Sequence, residues 1–72
     1  MTAREIISAL TRDGFFWDRG GGSHQLYYHP DGRRVTVSFH RAGDTFRRKT
    51  LKSMIEQARW TEEDLKRLKL IR

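Results

Sequence analysis

The stretch GSHQLYYHPDGRRVTVSF, Gly22 to Phe39, decides the fold. Two runs rich in β-branched and aromatic residues flank Pro30-Asp31-Gly32, and Asp-Gly between such runs is a strong hairpin signal. Strands are expected through residues 23–29 and 33–39. With Asp31-Gly32 as a two-residue turn, Pro30 faces Arg33, Tyr28 faces Val35, Leu26 faces Val37 and His24 faces Phe39. Side chains alternate between the faces of a strand. Leu26, Tyr28, Val35, Val37 and Phe39 are therefore expected on a covered face. Gln25, Tyr27, His29, Arg34, Thr36, Ser38 and His40 are expected on an open one. This parity puts His24 on the covered side at the fraying edge, half-buried yet within reach of a substrate.

Upstream, Phe15 to Arg19 reads as a first strand, joined to the hairpin by a loop of three glycines, Gly20, Gly21 and Gly22. Thr2 precedes Glu5 by three residues, the spacing of a capping box that opens a helix. Ala3, Ile6, Ile7 and Leu10 then form one apolar face, and Asp13-Gly14 ends it. Downstream of a basic loop at 41–49, Thr50 is expected to cap a second helix whose stripe is Leu51, Met54, Ile55 and Ala58. Thr61 caps a short third helix. Its acidic start, Glu62, Glu63 and Asp64, suits the positive helix end, and Leu65 and Leu68 face inward. The order is α-β-β-β-α-α: an α+β fold with a three-stranded antiparallel sheet and helices on one face. At 72 residues the chain is expected to be one domain, 1–72.

There is no cysteine, so disulfides and thiolate metal sites are excluded, as suits a reducing cytosol. No apolar run approaches the ~20 residues of a membrane span, and no signal peptide is visible, so a cytoplasmic protein is expected. Fifteen Lys and Arg against nine Asp and Glu leave a net charge of +6. Residues 33–49 hold six cations (Arg33, Arg34, Arg41, Arg47, Arg48, Lys49) against the single anion Asp44. The planar guanidinium fork suits phosphate oxygens, so nucleic acid is the expected partner.

His24, beside glycines in a basic chain, is the candidate for chemistry. RNA carries its own nucleophile, the 2′-hydroxyl, and needs only a group to take its proton and charges to stabilise the crowded phosphate; no metal or other cofactor is required. Imidazole, with an ordinary pKa of ~6.5, suits the first task. Arginines or Lys49 suit the second, with backbone N–H groups at the start of the second helix. The general acid stays unassigned. His29 is expected as a solvated turn residue and His40 as a surface residue. The histidines are too dispersed for a zinc site, and the glycine run lacks the Gly-Lys-Ser/Thr ending of a phosphate-binding loop. Most aromatics are needed for a core this small. Tyr27, on the expected open face, and Phe46, in the basic loop, are the candidates for base stacking.

With these residues in place, the chain resembles the HicA family of toxins from bacterial toxin–antitoxin pairs. The matching residues are Gly14-Phe15, Arg19, Gly22-Ser23-His24, His29-Pro30-Asp31-Gly32, Val35-Thr36-Val37, His40, Thr50-Leu51, Ile55 and Gln57-Ala58. The resemblance implies a fold like that of a double-stranded-RNA-binding domain and a ribonuclease that cleaves messenger RNA. It also implies inhibition by a HicB-type antitoxin, and a catalytic role for His24 at the position of the family's essential histidine. Ser23, Arg41, Arg47, Arg48 and Lys49 are the expected RNA contacts. The chain departs from the family in carrying Ser38 where a proline is usual and in the added glycines Gly20 and Gly21. A non-catalytic RNA-binding module is the alternative reading of the basic cluster, and a protein-interaction domain with an acidic partner is a third.

Overall fold

The computed structural model describes residues 1–71, in the order α1 (Ala3–Arg12), β1 (Phe16–Gly21), β2 (His24–Tyr28), β3 (Arg34–Ser38), α2 (Arg48–Ala58) and α3 (Glu62–Arg67). The expected α+β order holds. Thr2 and Glu5 form the reciprocal capping box that opens α1. The remaining N-terminal donors of α1 are met by the distant loop: Ala3 N–H donates to the Asp44 carbonyl at 2.8 Å and Arg4 N–H to that of Ala42 at 3.0 Å. Thr61 and Asp64 repeat the capping box at α3.

The sheet is antiparallel in the order β1-β2-β3, and only one of its faces carries helices. Ile6, Ala9 and Leu10 of α1 and Met54 and Ala58 of α2 pack with Phe15, Tyr27, Val35, Val37, Trp60 and Leu68 in a single core. β3 is a sheet edge, and the Gln57 side chain of α2 accepts its outward Thr36 N–H at 3.0 Å. That bond satisfies a donor which would otherwise invite another strand.

The hairpin register differs by one residue from the sequence expectation. The turn is a three-residue loop, Pro30 to Gly32: Gly32 N–H donates to the His29 carbonyl and His29 N–H to the Arg33 carbonyl, both at 2.9 Å. Proline leads a tight turn and Gly32 follows at φ 101°, the left-handed residue that three-residue hairpins place before the next strand. The Asp31 carboxylate holds the loop by accepting from Arg33 N–H at 3.0 Å and Arg33 Nε at 2.8 Å. The extra loop residue pairs Tyr28 with Arg34, Tyr27 with Val35, Leu26 with Thr36, Gln25 with Val37 and His24 with Ser38. β3 keeps its expected faces, while every side chain of β2 changes sides. Tyr27 is buried in the core. Leu26, Tyr28 and His24 stand on the open face.

Two further expectations are corrected. Gly20 and Gly21 are not loop; they extend β1, and the connection is the pair Gly22-Ser23. Gly22 has φ 60°, so a glycine at this first turn position relieves the strain an L side chain would suffer. Thr50 does not cap α2. The helix begins two residues earlier, with Arg47 at its cap position and no side chain bonded there. Packing of Leu51, Met54, Ile55 and Ala58 on the sheet sustains α2 without a side-chain cap.

Candidate active site

His24 begins β2, exposed, directly opposite Ser38 of β3, and Ser38 Oγ lies 3.0 Å from its Nδ1. The corrected register creates this pair. Ser38 Oγ thus holds the imidazole at one edge, and in the tautomer whose Nδ1–H donates to Oγ the other nitrogen, Nε2, keeps its lone pair. On the other side of His24, its partner in β1 is Gly21. A Cβ at Gly21 would meet nothing within 4 Å, so the histidine is flanked there by open space. Gly20 serves differently: a Cβ would come within 2.8 Å of the His24 carbonyl oxygen and collide with the Gln25 side chain, so only glycine lets β1 approach β2 this closely. Trp17 Nε1 fixes that Gln25 side chain with a 2.7 Å bond.

A bulge between Trp17 and Arg19 shifts the β1 register. Phe16 pairs with Tyr28 before it and Arg19 with Leu26 after it, so the bulge turns Arg19 onto the open face beside His24. A hollow of about 310 Å³ results, lined by Arg19, Gly20, Gly21, His24, Gln25, Leu26 and Thr36. A second, of about 420 Å³, is lined by Ser23, Ser38, Phe39, His40, Asp44 and Thr45. Asp44 brings a negative charge to it. Its carboxylate accepts from the N–H groups of His40 and Arg41 at 2.9 and 3.0 Å, and these bonds hold it below the usual carboxylate range.

Of the residues expected at the site, Ser23 and His24 lie together, each beside Ser38, with exposed His40 sharing the hollow of Ser23 and Ser38. Arg41, Arg47, Arg48 and Lys49 are exposed on the loop and the start of α2, outside both hollows. Tyr27 is removed from the stacking candidates by burial, and Phe46 is partly buried against the core. Arg19 and Gly21 escape sequence reading as site residues, and Ser38 registers there only as a departure from the family. The length of the Pro30 to Gly32 loop is the signal that would have found Ser38; Arg19 and Gly21 depend on the bulge and pairing of β1, which leave no such mark.

His29 is not a solvated turn residue. Nε2 lies 2.9 Å from the Asp13 carbonyl, Nδ1 accepts the Asp31 N–H at 3.1 Å, and the ring meets Phe15 edge-on at 5.0 Å between centroids. Gly14 is open to no side chain there, because its Cβ would sit 2.9 Å from His29 Nε2. Arg33 likewise leaves the basic cluster. Its side chain is only 14% exposed and donates to Asp13 at 3.1 Å and to the Ala58 carbonyl at 2.7 Å. Asp13 also accepts from Trp60 Nε1 and Arg67, both at 2.9 Å. Burial alone pushes the Asp13 carboxyl up; the bonds from Trp60, Arg67 and Arg33, with the Arg33 charge, outweigh this and leave it lowered.

The molecule is thus a small basic α+β domain with a tight polar cluster at one end of its sheet and an exposed, hydrogen-bonded histidine at the other. The family model described as HicA toxin of bacterial toxin–antitoxin matches residues 3–60. The chain belongs to that family of toxins, and membership implies an antitoxin partner. No curated protein matches the chain. Among the described residues, no helix is long and apolar enough to cross a membrane.

Proposed function

We propose that the chain is a metal-independent endoribonuclease acting on messenger RNA, with His24 as general base toward the 2′-hydroxyl, and that a HicB-type antitoxin inhibits it. The observation that carries this reading is the pairing of His24 with Ser38 on the open face. It leaves Nε2 outward beside the space at Gly21, with Arg19 across the same hollow. Nε2 takes the proton of the 2′-hydroxyl as the oxygen attacks phosphorus to close the 2′,3′-cyclic phosphate. The bond to the 5′-oxygen breaks, and that oxygen takes a proton from water to become the 5′-hydroxyl. Arg19, a cation lining that hollow, suits the charge gathering on the phosphate oxygens. Ser23 and the exposed Arg41, Arg47, Arg48 and Lys49 hold flanking phosphates, and the antitoxin blocks the reaction by covering His24. Among the described residues no three His, Cys, Asp or Glu side chains cluster as a metal site would need.

Incubation of the purified protein with RNA, with and without a chelator, tests the reading. Cleavage is expected to persist in chelator and to leave a 2′,3′-cyclic phosphate, or its opened form, and a 5′-hydroxyl. A strict magnesium requirement or 5′-phosphate ends would overturn it. Replacing Arg47, Arg48 and Lys49 together with alanine should flatten the salt dependence of RNA binding by about 0.7 for each phosphate that loses its cation.

A further inference from the structure

The face of the sheet opposite the helices is more than a support for His24. On β2, His24, Leu26 and Tyr28 follow one another at two-residue steps, so Tyr28 lies about 13 Å from His24 along the strand. Beside them stand Phe16 and Arg19 of β1 and Arg34 of β3. Phe16 is 47% exposed and meets the Tyr28 ring edge-on at 5.6 Å. The Arg34 guanidinium lies over that ring, 5.5 Å from its centroid. Arg19 and Arg34 border a shallow hollow with Tyr28 and Asp18, continuous through Arg19 with the hollow at His24.

We infer that this open face, from His24 to Tyr28, binds single-stranded RNA, taking the bases on one side of the cleaved bond on Phe16 and Tyr28 and their phosphates on Arg19 and Arg34. The inference rests on the ribonuclease reading above. Three features favour a nucleic acid strand over a protein as occupant. The face is continuous with the exposed histidine, so a strand whose phosphate reaches Nε2 must lie across it or leave the sheet at once. Its aromatics are flanked by guanidinium groups, which match the alternation of bases and phosphates. The reach from His24 to Tyr28 suits the two or three bases that an aromatic-bearing sheet face stacks. A duplex is disfavoured because its paired bases cannot splay onto rings.

Fluorescence anisotropy on the His24→Ala chain, with a short unstructured RNA oligonucleotide, reads binding without turnover. Adding Arg19→Ala and Arg34→Ala is expected to weaken affinity about tenfold and to lower the salt slope by about 1.4, at about 0.7 for each phosphate released. Adding Phe16→Ala instead is expected to cost about tenfold with the salt slope unchanged, because stacking releases no counterions. All three side chains are exposed, so thermal melts check that the variants remain folded. No RNA binding by the parent chain, or unchanged affinity in either variant, overturns the inference. So does a loss confined to duplex RNA, or lost affinity for the antitoxin with RNA affinity intact, which would assign the face to a protein. A chain that binds through these residues but cleaves nothing sinks the catalytic reading and leaves this one standing.

Discussion

His24 and His29 stand five residues apart, one at the start of β2 and the other just past its end, and their surroundings are opposite. His29 has both ring nitrogens engaged by its own chain, a phenylalanine against its face and no room beside it for anything larger than Gly14. His24 has one nitrogen held by Ser38, the other free, and empty space at Gly21. A ring with both nitrogens satisfied is a brace. A ring fixed at one edge keeps its other nitrogen available for chemistry. The same contrast separates the arginines: Arg33 is committed to Asp13, Asp31 and the Ala58 carbonyl, whereas Arg19 is exposed with only a 3.8 Å approach to Asp18. Among the described residues, exposed and lightly engaged polar groups gather at the His24 end of the sheet, and mutually bonded ones at the Asp13 end.

The contrast breaks most sharply if His24 proves structural. His24→Ala is expected to lower RNA cleavage about 10³-fold, in the range for loss of a general base, with the melting temperature within about 2 °C of the parent. A folded variant that cleaves at the parental rate would place the chemistry elsewhere. At the other end, Asp13→Ala removes the shared acceptor of Arg33, Trp60 and Arg67. It leaves the Arg33 guanidinium, only 14% exposed, with Asp31 as its remaining carboxylate partner, and strips Trp60 Nε1 and Arg67 of a shared acceptor. A loss of about 3 kcal/mol is expected from denaturant melts, with cleavage per folded molecule retained. A loss below about 1 kcal/mol would demote the cluster to decoration.

Acid sharpens the same comparison. The Asp13 carboxyl is held below its ordinary value, so its contribution is present in full above the unfolded-state pKa of ~3.9 and is lost as pH falls through the lowered folded value. The stability gap between the parent and Asp13→Ala is therefore expected to narrow below about pH 4 and to stay constant from about pH 5 to 7. A gap independent of pH down to about 2 would contradict the assignment. The smallest effect concerns Ser38, the one brace His24 has. Ser38→Ala is expected to cut kcat about tenfold and displace the pH–rate profile, while Ser38→Thr restores both. Stability should be nearly unchanged, and a tenfold loss with an unmoved profile would mean that Ser38 acts otherwise.

How far the molecule is legible in its sequence follows from the range of the forces concerned. Capping residues and apolar spacing locate α1 and α3 correctly, because Thr2 with Glu5 and Thr61 with Asp64 act within one turn. The same signals misplace the start of α2 at Thr50, because no local cap marks it and packing against the sheet sustains the helix. They also misread His29 and Arg33: Asp13 and Ala58, which engage those side chains, lie far away in the chain.

By itself the sequence determined the element order, the single helical layer, the basic balance and the histidine beside glycines as the residue to question. All of these depend on neighbours a few positions apart. Only the tertiary structure decided which way that histidine points. One additional residue in the loop from Pro30 to Gly32 pairs His24 with Ser38 instead of Phe39, and a strand's alternation converts a slip of one position into a change of face. The bulge after Trp17 does the same for Arg19. The site on the open face exists because hydrogen-bond register, which no local pattern in β2 specifies, was settled by the geometry of a turn and held by Arg33, Asp31 and His29.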